Sequence, residues 1–88
     1  MQPHLSEEEL SRKLADAGTQ IEVSATYKHY KGSLYKVTSL AILEATNEVA
    51  VVYQAQYGTG VMFVRPVSSW LEPATVDGQT VERFSKIQ

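Results

Sequence analysis

The sequence predicts a mainly β fold: a small SH3-like barrel of about five antiparallel strands, with a 3₁₀ turn before the last strand and an N-terminal α-helix. Three observations carry this. From Ile21 onward, short runs rich in Val, Ile, Tyr and Thr are punctuated by Gly, Asn and Asp, the pattern of strands and turns. Three hairpin-connected strands, a short VSSWLEP segment and a closing strand, preceded by one further strand, follow the order of such a barrel. Closure would remove sheet edges that so small a domain can hardly cover otherwise. Residues 5–18, LSEEELSRKLADAG, carry helix signals at nearly every position.

In that helix Ser6 is a good N-cap and Glu9, three residues on, its capping-box partner, with Leu5 and Leu10 placed as a hydrophobic staple. Glu7, Glu8 and Glu9 lie at the positive end of the helix dipole, and Gly18 is expected to stop the helix in the left-handed region. The apolar stripe of Leu10, Leu14 and Ala17 is thin, so residues 1–20 read as a helical extension that packs on the surface of something else, the barrel domain of residues 21–88 or a partner.

Strands are predicted near Thr26–His29, Leu34–Leu43, Glu48–Tyr57 and Val61–Pro66, with a last one around Val81–Ser85. Ala45 to Asn47 joins the second and third, Gly58-Thr59-Gly60 the third and fourth, and Asp77-Gly78 suits a type I′ turn. VSSWLEP is too short for a helix before Pro73 and too polar for a buried strand, which leaves a 3₁₀ turn. A three-residue loop at Gly58–Gly60 sets Tyr57 opposite Val61, Ala55 opposite Phe63 and Tyr53 opposite Arg65. That face continues into Val51 and Val49 and is polar only at Arg65, so it is taken as the inner one. Val51 and Val64 are read as wall residues of the two central strands.

Composition narrows function by exclusion. At 88 residues, 43% apolar and 20% charged, the chain has room for one core and no disordered character. Its net charge of −2 offers polyanions no global attraction. There is no cysteine, which removes disulfides, thiolate metal sites and thiol catalysis together. The N-terminal MQPHLSEEELSRK lacks a basic and an apolar targeting region, and a cytoplasmic location is expected. His29 and His4 form no paired-histidine motif, and neither a nucleophile elbow nor a phosphate loop is present. No metal, no cofactor and no enzymatic activity are expected.

Tyr27 to Val37, YKHYKGSLYKV, gathers three tyrosines, three lysines and a histidine in eleven residues. Strand alternation sends neighbours to opposite faces, so Tyr27 and Tyr35 are expected in the wall, while the turn at Lys31-Gly32 lets His29, Tyr30 and Lys31 point together at the rim, beside Arg65. Trp70 is read either as an anchor for a partner or as packing beneath the turn, and is kept with these residues as a candidate binding set. The function expected is a non-enzymatic binding module that recognises a protein segment, or self-associates, through this aromatic and basic rim. The alternative is binding of nucleic acid or a nucleotide phosphate through Lys28, Lys31, Lys36 and Arg65.

Residues Tyr27 to Leu71, through YKHYKGSLYKV, VVYQAQYG and VRPVSSWLE, together with the closing VERFSKI, resemble a small bacterial family known as domain of unknown function 1653. The resemblance covers roughly the last two thirds of the chain and implies an SH3-like barrel, with no activity attached. The chain departs from the family pattern at Gln56, where an aliphatic residue is typical, and at Phe63, where Trp is typical.

Overall fold

The computed structural model describes residues 5–88. Helix α1, Glu7–Gly18, begins as its sequence predicts: the Glu9 amide donates to the Ser6 hydroxyl at 3.1 Å, and the Glu9 carboxylate accepts from the Ser6 amide at 3.3 Å. These bonds to Ser6 hold the Glu9 carboxyl below the usual carboxylate range. Its end differs from expectation. Gly18 stays helical, and Thr19 closes the last turn with its hydroxyl donating to the Asp16 carbonyl at 2.7 Å. Helix α1 meets the sheet at Ala17, which is buried, and through Lys13, whose ammonium donates to the Asn47 carbonyl. Immediately beyond it Ile21, 1% exposed, drops into the core.

Four strands fall where the alternation puts them: β1 Thr26–His29, β2 Leu34–Leu43, β3 Glu48–Ala55 and β4 Met62–Pro66. Turn chemistry separates them. Gly32 (φ 110°), Asn47 (φ 63°), Gly58 (φ 59°) and Gly60 (φ 73°) supply the left-handed residues that the reversals need. Long β2 carries a bulge between Val37 and Ser39, which bends it.

The pairing of β3 with β4 is offset from the sequence expectation. Tyr53 opposes Phe63 and Val51 opposes Arg65, because the loop runs from Gln56 to Gly60 and closes on an Ala55 amide to Val61 carbonyl bond of 2.9 Å. The shift is by two residues, and since side chains alternate with a period of two, the faces survive it. Val51, Tyr53 and Ala55 are buried as predicted. Val64 is not a wall residue: it is 58% exposed, on the solvent face of an edge strand.

Two further corrections follow Pro66. VSSWL forms a short α-helix, α2 (Val67–Leu71), rather than a 3₁₀ turn, since its amphipathic turn has Trp70 to bury. The segment read as one closing strand is two. Strands β5 Ala74–Val76 and β6 Gln79–Val81 pair as a separate hairpin over Asp77 (φ 50°) and Gly78 (φ 80°), and β7 Phe84–Lys86 then pairs with β1. The Asp-Gly turn consumes Val81 in its own hairpin and so cuts the predicted strand in the middle.

The main sheet is open, in the order β4-β3-β2-β1-β7, so the predicted closure is not formed. In place of a β4–β7 strand pairing, Trp70 packs between β3 and β7. Its indole stacks on Phe84 of β7 (3.7 Å between centroids, 3° between planes) and meets Tyr53 of β3 edge-on at 5.1 Å. Around it Ile21, Ala25, Tyr27, Val37 and Val51 complete a single core on the concave side.

Candidate functional site

Inward positions along four strands bring aromatic rings to the concave face of the sheet. Tyr35 of β2 lies opposite Ala55 of β3, and Tyr53 opposite Phe63 of β4, so their rings share one side. The rings of Tyr35 and Tyr53 meet edge-on at 5.3 Å, those of Tyr53 and Phe63 at 5.6 Å, and those of Tyr35 and Tyr57 at 5.6 Å. The Tyr35 and Tyr57 hydroxyls share a hydrogen bond of 2.8 Å, which, with burial, raises the Tyr35 pKa above its ordinary value. Phe84 closes this floor on the β7 side, 6.1 Å from Tyr35 and 5.8 Å from Tyr53.

Cations line the rim of that floor. The Arg65 guanidinium sits 5.4 Å from the Phe84 centroid and donates to the Tyr53 hydroxyl at 3.3 Å and the Ser69 hydroxyl at 3.0 Å. Across from it, His29 meets Phe84 edge-on at 5.0 Å and lies 4.5 Å from Tyr30. Lys31 and Arg83 each approach the Tyr30 ring at 5.9 Å. The tight turn at Gly32 makes this possible: the His29 amide donates to Ser33 and the Gly32 amide back to His29, so Tyr30 and Lys31 swing out of strand alternation.

The His29 Nδ1 accepts the Lys31 amide at 3.1 Å, which places the proton of the neutral ring on Nε2. Its pKa lies below the ordinary value, first through burial and then through the charges of Arg65, Arg83 and Lys31. Among the described residues Arg83 pairs with Glu72 at 3.7 Å, whereas neither Arg65 nor Lys31 forms an ion pair. The rim is therefore net positive above an aromatic floor.

His29 and Arg65 thus flank Phe84, and Tyr30 and Lys31 join them through their contacts with His29. Trp70 does not join them at the surface: at 3% exposure it is the floor's support, the packing alternative of its two readings. Lys28 and Lys36 lie on the opposite face, alternating with Tyr27 and Tyr35, so the four cations of the nucleic-acid reading are split between the two sides of the sheet. Arg83 and Phe84 fall inside the predicted closing strand, Val81–Ser85, but the sequence reading did not place them at the rim, because it did not show that this segment pairs with β1. Asp77-Gly78 signals only the division of that segment, since its two-residue turn makes a hairpin whose second strand ends at Val81.

On the far side of Phe84 a cleft of about 470 Å³ opens beneath the β5–β6 hairpin, lined among others by Tyr27, Trp70, Pro73, Val81, Arg83 and Phe84. It meets the rim at Arg83 and Phe84. Among the described residues no group of three or more acidic or histidine side chains converges as a metal site, and no helix is long and apolar enough to cross a membrane. His4 lies outside the described residues.

The family model described as "Protein of unknown function (DUF1653)" matches residues 25–86, a span that contains the whole sheet and the rim. Among solved structures, the crystal structure of a protein belonging to DUF1653 from Bordetella bronchiseptica is similar, with a TM-score of 0.68 and 31% identity over 77% of this chain and 90% of that one. No curated protein matches. Helix α1 lies outside the matched residues.

Proposed function

Because the chain belongs to the DUF1653 family, a family defined without an activity, we propose a function from the site itself: a non-enzymatic binding module whose aromatic and basic rim takes an acidic protein segment. The observation that carries this reading is the state of Arg65. Its guanidinium is held over Phe84 by two hydroxyls, with its charge matched by dipoles and π density rather than by a carboxylate. Such a pre-oriented fork is suited to bidentate capture of a carboxylate, to which Lys31 adds a second unpaired charge. The aromatic floor and the cleft below Arg83 offer burial for an adjacent apolar side chain. His29 as a catalytic base has no support in its contacts: its Nδ1 is occupied by a backbone amide, and its neighbours are rings and cations.

The test is fluorescence anisotropy of the full chain against short peptides carrying Asp or Glu beside an aromatic residue, their Asn and Gln counterparts, and single-stranded oligonucleotides. Acidic peptides should bind, and Arg65→Ala should weaken them about tenfold or more, the range for a hydrogen bond to a charged group. Lys28→Ala and Lys36→Ala should leave that affinity unchanged. Preferential binding of oligonucleotides, weakened steeply by salt and by Lys28→Ala or Lys36→Ala, would replace this reading with the nucleic-acid one.

A further inference from the structure

Strand β4 is an edge of the main sheet, and the charge and proline that usually blunt an edge stand only at its C-terminal end, at Arg65 and Pro66. From Val61 to Val64 the sequence VMFV has no charge and no proline, and its pairing with β3 runs without a bulge. All four side chains are exposed, at 51%, 49%, 39% and 58% in order. The other edge differs, since β7 ends in Lys86, which pairs with Glu22 at 3.0 Å.

The phase of the backbone follows from the bond between the Ala55 amide and the Val61 carbonyl. In an antiparallel ladder alternate residues exchange bonds with one neighbour, so Val61, Phe63 and Arg65 turn toward β3, while Met62 and Val64 turn their N–H and C=O groups outward.

We propose that this edge pairs, antiparallel, with the β4 edge of a second copy of the chain, forming a two-fold dimer with one continuous sheet. The edge complements itself. With the dyad beside Phe63, Met62 of each copy exchanges both backbone bonds with Val64 of the other, and Phe63 faces its own equivalent as a close, non-hydrogen-bonded pair. Arg65 then falls opposite Val61, so no like charges meet across the interface. A charged partner strand would find nothing to pair with over these four residues, whereas β4 itself is neutral and apolar along the same stretch. Phe63 also contacts Tyr53 on the concave face, so dimerisation would join the two aromatic floors through the Phe63 pair. Five residues of edge make a small interface, so the expected dimer is weak and forms only toward high concentration. The inference does not rest on the acidic-segment reading, because it uses the outward backbone groups of Met62 and Val64, whereas that reading uses the side chains of Arg65 and Lys31 on the concave rim.

Sedimentation velocity of the full chain from about 5 to about 500 µM should show a monomer passing to a dimer by mass action. Val64→Pro removes an outward N–H without touching the β3 ladder, and Met62→Lys places a charge on the exposed edge. Both should fold, as judged by amide dispersion, and both should remain monomeric throughout, while Lys28→Ala, on β1 away from this edge, dimerises like the parent. Amide exchange at Met62 and Val64 should slow as concentration rises. A parent chain that stays monomeric at the highest concentration would overturn the proposal, as would folded Val64→Pro and Met62→Lys variants that still dimerise. Should a VMFVR peptide protect the same two amides while the chain alone never dimerises, the edge takes a foreign strand and the second copy is the wrong occupant.

Discussion

Burial lowers the pKa of His29, and the charges of Arg65, Arg83 and Lys31 lower it further. The folded chain therefore takes up this proton at lower pH than the unfolded chain does. As pH falls below about 6.5, the unfolded state binds more protons, and folding stability declines through the depressed folded-state value. Protonation also removes the Nδ1 acceptor that the Lys31 amide uses. Urea melts at pH 7.5 and 5.5 should thus show a loss on acidification that is smaller in His29→Gln. The ring is only partly buried, which keeps the effect modest. Affinity for an acidic peptide should move the other way, rising as the ring gains charge. A rim histidine beside Tyr30 and Lys31 was legible in YKHYKG, but its neighbours Arg83 and Phe84 come from a strand more than fifty residues away, and local pattern carries no information on that pairing.

At the scale of elements, the β3–β4 connection shows what turn chemistry resolves. Gly-Thr-Gly announces a reversal, and both glycines do take positive φ. Loop length, however, is settled by which backbone pair closes the ladder, and that pair is Ala55 with Val61 rather than Tyr57 with Val61. At Gly60 a Cβ would sit 3.1 Å from the Gln54 Nε2, the donor to the Gly60 carbonyl at 3.0 Å, in a backbone conformation costly for any L side chain. Gly60→Ala should accordingly cost about 1 to 2 kcal/mol in denaturant melts. At Gly58, where the same substitution meets nothing nearby, only the conformational part should appear. Helix α1 is the opposite case. Its capping box involves Ser6 and Glu9 alone, so its start could be read residue by residue, whereas its end needed the tertiary burial of Ala17 and Ile21.

For the molecule as a whole, the two faces of the sheet carry unequal weight. Val51 is fully buried between β2 and β4, and Val51→Asp leaves a carboxylate without water or partner, so the chain should be unfolded by near-ultraviolet circular dichroism. Val64 stands on the solvent face, and Val64→Asp should shift stability by no more than about 0.5 kcal/mol. A folded Val51→Asp chain beside an unfolded Val64→Asp chain would mean that the concave side is not the core.

Local chemistry by itself determined the capped helix, the four alternating strands, the Asp-Gly hairpin turn and the inward face of β3, since each depends on residues within a few positions of one another. Period-two alternation made the face robust even where the register was not. Only the tertiary structure decided that the sheet stays open, because the packing that stands in place of a β4–β7 pairing, Trp70 stacked on Phe84, joins two residues whose partnership no local pattern encodes. The same packing draws Arg65 and His29 to the ring of Phe84, and Arg83 to that of Tyr30. The rim is thus a product of long-range packing, built from short-range signals that the sequence already displays.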